Sequence, residues 1–207
     1  MTTADNQQSR YEVRFDWGPA GLSAIADGAG VIIVVQGIAD GHQISAAVES
    51  LGREPADAAI ADAAHASGAR VVAASLRNRT AVAQHVLQHQ VQRGERVRVA
   101  LVAETSLGAD SHQDAVGSGF AVDTLFAAGA VIDALAAVGI DYSSPEAAAA
   151  SAAFTGLERA VGHLYTASTA GQRLIASGKR DAVVAAGQVD ASELVPVLGD
   201  DGYWAVG

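Results

Sequence analysis

The run Val31-Ile-Ile-Val-Val35 constrains this chain most. Five β-branched residues in succession leave no polar face. A strand of that kind must be covered on both sides, as helices cover the strands of a parallel sheet. Two further runs, Arg70-Val-Val-Ala-Ala74 and Val97–Ala103, read the same way. Alanine-rich segments of helical character separate them. Strands alternating with helices predict an α/β fold, a three-layer α/β/α architecture with a mainly parallel sheet.

Around these strands the chain divides as follows. Residues 1–10 read as a disordered start and 11–207 as a single α/β domain. Tyr11–Phe15 alternates apolar and charged residues and predicts a half-buried strand. A turn at Asp16–Pro19 overlaps the start of a short helix over Gly18–Ile25. After the Val31 strand come a loop over Gln36–Gly41 and a helix over Ile44–Leu51. Pro55–Ser67 predicts a helix stopped by Gly68. Asn78 is placed to cap a helix running from Arg79 to about Gln90. Ser144-Pro145-Glu146 puts a cap before a proline at the first helical position, with the helix extending to Gly162. Thr169–Ser177 is a helix ended by Gly178. Asp181–Ala186 predicts a fourth strand, and Val195–Leu198 a short segment before a polar tail.

Charge narrows the partners. There are 23 acidic and 13 basic side chains, a net charge of −10. Nucleic-acid backbones and anionic membrane surfaces would be repelled. A small anionic substrate is compatible, because a local arginine or metal overrides the mean field. The absence of cysteine removes disulfides and thiolate metal sites. No apolar run is long enough to span a bilayer, and the first ten residues have no hydrophobic region of a signal peptide, so a cytoplasmic protein is expected. The many small apolar helix faces point to a homodimer.

The stretch Gly117-Ser-Gly-Phe-Ala-Val-Asp123-Thr-Leu-Phe-Ala-Ala-Gly129 joins a polar loop to a long apolar helix. Asp123 there has two readings: a cap on the first helical turn, or a site carboxylate at the carboxyl end of a parallel sheet. Gly129 would let another element approach closely. Gly117-Ser-Gly119 begins like a dinucleotide fingerprint, but Val122 stands where its third glycine belongs. His85 and His89 are spaced i, i+4, with Val86 where a zinc protease needs glutamate, so they read as surface histidines. No Gly-x-Ser-x-Gly elbow occurs.

Three blocks in order carry a resemblance: Val71-Val-Ala-Ala-Ser-Leu-Arg-Asn-Arg-Thr80, Ala121-Val-Asp-Thr-Leu-Phe-Ala-Ala-Gly-Ala-Val131, and Thr166-Ala-Ser-Thr-Ala-Gly-Gln-Arg-Leu-Ile-Ala-Ser-Gly178 with Val189–Leu198 after it. Together with the opening Val13–Gly18 and the Val31 strand, they resemble the 2-phosphosulfolactate phosphatase family. The resemblance implies magnesium-dependent hydrolysis of a phosphate ester of a small sulfonated or carboxylated hydroxy acid, a role in coenzyme M biosynthesis, and the three-layer fold. On it, Asp123 and Arg77 are the catalytic candidates. Ser75, Arg77 and Asn78 are the substrate contacts, and Asp123 and Glu104 hold Mg2+. The readings without chemistry are a turn residue for Ser75, a surface charge for Arg77 and a helix cap for Asn78.

The departures from the family are equally specific. Gln36 stands where the family has an aspartate after the first buried strand. The family's Glu-Asp pair is Asp123-Thr124 here, and a segment with a Ser/Thr-Asn-Gly motif is missing before Arg70. Asp40 and Glu104 are the carboxylates available to compensate. A catalytically degenerate member acting as a binding or regulatory protein is therefore the alternative to an active phosphatase. An unrelated α/β enzyme using Asp40 or Glu104 is a third reading.

Overall fold

A computed structural model of the chain describes residues 8–38, 43–104 and 120–207. Its centre is four parallel strands: β1 (Val13–Trp17), β2 (Ala29–Val35), β4 (Arg70–Ala74) and β5 (Arg98–Ala103). Three short strands extend the sheet by antiparallel pairing: β3 (Arg53–Pro55), β6 (Pro196–Leu198) and β7 (Tyr203–Val206). The order across the sheet is β1-β5-β2-β4-β6-β7-β3. The α/β class and the largely parallel core are as the sequence predicts.

Because β2 is apolar throughout, its side chains serve both faces alternately. Val31, Ile33 and Val35 point into one layer with Val13, Phe15, Val99 and Leu101. Ile32 and Val34 point into the other with Val71, Ala100 and Val102. The first layer is closed by α4 (Arg79–Arg93), α5 (Val122–Ala137) and α6 (Pro145–Leu157). The second is closed by α1 (Gly18–Ile25), α2 (Ile44–Leu51) and Trp204 of β7, with Ile60 of α3 (Ala58–Ser67) at its edge. Helix α5 is buried nearly all round. Its Gly129 lies so close to α6 that a Cβ there would overlap the carbonyl of Ala150, which is the close approach the sequence suggests.

Several boundaries differ from the prediction. Asp181–Ala186 is not a strand but part of α9 (Arg180–Ala186). Its Val183 and Ala186 are the buried residues, three apart, which is helical spacing hidden in a short apolar run. The helix predicted to reach Gly162 stops at Leu157. A 3-10 turn at Glu158–Ala160 then leads into α7 (Val161–Ala167), with α8 (Thr169–Ala176) after it. Strand β1 begins two residues later than predicted, and Trp17 pairs with Ala103 rather than turning away. The polar tail contributes β7, and Pro55 ends β3 rather than opening a helix. Among the described residues no helix is long and apolar enough to cross a membrane.

The topology places a crevice. Strands β5 and β2 are neighbours. The chain leaves β2 for α2 on one face, and the helix after β5 is α5 on the other. Adjacent strands whose connections diverge open a cleft at their carboxyl ends, the usual ligand position of an open α/β sheet.

Candidate functional site at the carboxyl end of the sheet

Gln36 and Glu104 are the first residues beyond β2 and β5. Their N–H groups continue the ladder, Gln36 to the Ala74 carbonyl and Glu104 to the Val35 carbonyl, each at 2.9 Å. This fixes both backbones at the crevice. The Gln36 amide Nε2 donates to Glu104 Oε2 at 2.7 Å, and its Oε1 accepts the N–H of Ile44, at the start of α2, at 2.8 Å. Burial raises the Glu104 pKa from its ordinary value. The Gln36 hydrogen bond offsets part of that rise, and the charge of Asp57 adds to it.

Asp123 stands in the first turn of α5 and is buried. It does not cap its own helix. The N-cap position is Ala121, which offers no side-chain acceptor. Asp123 Oδ2 instead accepts the N–H of Ile38 at 2.7 Å. Gly37 allows this, since a Cβ there would overlap the Asp123 carboxylate and lie 2.6 Å from the Thr124 nitrogen. The buried Tyr165 of α7 donates its hydroxyl to the Asp123 carbonyl at 2.9 Å. Burial holds that phenol protonated, its pKa pushed well above the ordinary value, with the Asp123 charge adding to the shift. Glu104 and Asp123 are thus both tied to the Gln36–Ile38 segment. Asp40 lies outside the described residues.

The third group follows β4. Ser75 and Asn78 form a capping box around the 3-10 turn Leu76–Asn78. Asn78 Oδ1 accepts from the Ser75 backbone N–H at 2.8 Å and from its hydroxyl at 3.3 Å. Asn78 Nδ2 donates to the carbonyls of Ala73 and Leu194. Both side chains are buried. Their polar atoms are occupied by each other and by the backbone, so they shape the turn that carries Arg77. Asn78 occupies the N-cap position of α4 without bonding to it through its side chain, contrary to the predicted cap. Arg77 Nη2 pairs with Glu49 Oε2 at 3.2 Å, and the other Glu49 oxygen accepts the Ser192 hydroxyl. The Arg77 Nε is buried and has no hydrogen-bond partner.

A cavity of about 280 Å³ opens beside Asp123, lined also by Phe120, Ala121, Val122, Thr169, Ala170 and Arg173. The N-terminal turns of α5 and α8 both border it, and N–H groups and dipoles of such turns favour anions. Arg173 was missed by motif reading. Its only sequence signal is its position in the third of the resembling blocks.

Magnesium asks for oxygen donors at about 2.0–2.1 Å in octahedral geometry. The described residues of the crevice do not offer that donor set. Glu104 Oε2 faces an amide N–H rather than open space, and the one oxygen of Gln36 is turned to Ile44. Asp123 keeps only Oδ1 beyond its bond to Ile38. Among the described residues no three His, Asp or Glu side chains gather as a cation site. The described residues at this crevice do not fit the ion that the resemblance implies.

A family model described as 2-phosphosulpholactate phosphatase matches residues 57–201. Ser75, Arg77, Asn78, Glu104, Asp123 and Arg173 fall inside the match. Gln36, with the β1 and β2 strands, falls outside it. No curated protein matches the chain. With more than half its length and most of the carboxyl-end residues covered by that match, the chain belongs to the 2-phosphosulpholactate phosphatase family.

Proposed function

We propose that this protein binds a small anionic phosphate ester, of a sulfonated or carboxylated hydroxy acid, at the carboxyl end of the sheet, and that hydrolysis of the ester is the reaction it inherits. The family match carries this reading. The pocket beside Asp123 supports it, because Arg173 and the first turns of α5 and α8 border it, and such turns present N–H groups to an anion. In this reading Asp123, held by Ile38 through Oδ2, keeps Oδ1 to accept a proton from the attacking water. Arg77 holds the acid group of the substrate, its guanidinium released from Glu49 on binding. Ser75 and Asn78 act through the shape of the turn that carries it.

The second reading is a family member that binds such an anion without turning it over. The Gln36–Glu104 pair favours it, because an amide stands where the resemblance places a carboxylate.

Phosphate release from phosphomonoesters of sulfonated and carboxylated hydroxy acids, with and without magnesium, separates the two. Turnover that is lost in Asp123→Asn supports hydrolysis. Calorimetric binding of the same esters without phosphate release supports the binding protein. Neither binding nor release from any of them would sink both.

A further inference from the structure

We propose that the carboxamide of Gln36 takes the place of a divalent cation in the crevice between β5 and β2, so that Glu104 is held by a hydrogen bond instead of a metal, and that a carboxylate at position 36 opens a cation site there. The inference rests on the location of the site, but not on turnover.

The orientation of the amide is fixed from both ends. Glu104 Oε2 demands a donor and the Ile44 N–H demands an acceptor, so only one of the two amide placements satisfies both. A flipped amide would set oxygen against oxygen and N–H against N–H. The 2.7 Å separation leaves no room for an ion between Nε2 and Oε2. An amide N–H is also not a ligand for a hard cation. Glu104 therefore has a neutral donor where a cation would otherwise lie.

Gln36 also holds more than Glu104. Its Oε1 ties down the start of α2, and Gln43 Nε2 donates to the Gly37 carbonyl at 2.6 Å on the same short segment. One side chain thus bridges β5, β2 and α2, a bridge that a metal ion shared among carboxylate and carbonyl oxygens could also make. Replacing Gln36 by a carboxylate puts two negative groups at hydrogen-bond distance. That arrangement is unfavourable unless a cation lies between them or one of them keeps a proton.

The test uses the full chain and magnesium chloride alone, read by calorimetric titration and by thermal unfolding. The wild type is expected to give no binding heat at millimolar magnesium and no shift of its melting temperature. Gln36→Glu and Gln36→Asp are expected to melt lower without the ion, and at least one of them to bind it about tenfold or more tightly than the wild type and to recover on adding it. Sub-millimolar binding by the wild type, weakened about tenfold in Glu104→Gln, would overturn the proposal. So would folded variants that bind no better than the wild type. Should neither variant fold even with magnesium, the comparison of wild type with Glu104→Gln decides alone: no heat in either upholds the replacement, and heat lost in the variant overturns it. No ester is present, so the result is independent of whether the protein is a phosphatase.

Discussion

The carboxylate of Asp123 accepts the backbone N–H of Ile38 at 2.7 Å, joining α5 to the segment after β2 across 85 positions of sequence. The bond is buried, and one partner is ionisable. Hydrogen bonds to charged groups contribute about 1.5–3 kcal/mol, and an orphaned buried N–H adds a cost of its own. Asp123→Ala is expected to destabilise the protein by about 2–3 kcal/mol in urea unfolding. Asp123→Asn keeps an acceptor and should lose about half as much. Equal losses in the two variants would show that packing, not the hydrogen bond, matters at this position.

Gly129 and Gly156 lie on the packed pair α5 and α6 and should answer oppositely to alanine. A Cβ at Gly129 overlaps the Ala150 carbonyl and comes within 2.8 Å of the Phe154 Cβ. Overpacking of this kind costs about 1–3 kcal/mol, more than the helix propensity gained. A Cβ at Gly156 meets nothing within 4 Å. Gly156→Ala should stabilise by roughly 0.4–1 kcal/mol. Denaturant midpoints of the two variants check the contrast.

Glu104 gives a dependence on pH whose sign is fixed by its environment. Burial raises its folded pKa above that of the unfolded chain. Below the unfolded value both states hold the proton, and nothing is lost. As pH rises through the folded value, the folded protein must ionise a buried carboxyl, and stability falls. Glu104→Gln keeps the acceptor for Gln36 and removes the ionisation. The variant is expected to match the wild type in mild acid and to exceed it at neutral pH. A variant less stable at neutral pH would mean that a positive group compensates Glu104 in the wild type.

Arg79 joins distant parts of the chain through its planar fork. It pairs with Asp133, Glu158 and Asp190 at 3.2, 3.5 and 3.0 Å, and its guanidinium lies 5.0 Å from the centre of the Phe154 ring. Lysine keeps the charge but loses the fork and the stacking. Arg79→Lys is expected to cost about 1–2 kcal/mol, because the partners are partly solvated and screened. The loss should shrink as salt is raised, measured by the unfolding midpoint.

The positions of several candidate residues in the fold were legible in sequence. Asp123, Arg77, Ser75 and Asn78 stand in blocks that a family pattern can match, because they follow strands or open helices whose periodicity is strong. Their bonding partners were not legible. Nothing local in the sequence pairs Asp123 with Ile38, Arg77 with Glu49, or Gln36 with Glu104, since each pair is made by strand order and not by spacing. Gln36 read as a lost charge. In the fold its two-ended amide supplies both a donor and an acceptor.

The sequence by itself determined the class of fold and its central strands, because β-branched runs without polar relief are stable only between two covering layers. It also determined the major helix stops at Gly68 and Gly178, where a positive φ of 63° or 83° favours glycine. The tertiary structure alone decided the order β1-β5-β2-β4 and the short antiparallel strands β6, β7 and β3 that extend it. It decided too that Asp181–Ala186 coils into a helix. The physical reason is the same in each case. Short segments have no strong period of their own, and they take the conformation that satisfies backbone groups and apolar faces supplied by residues far away in the chain.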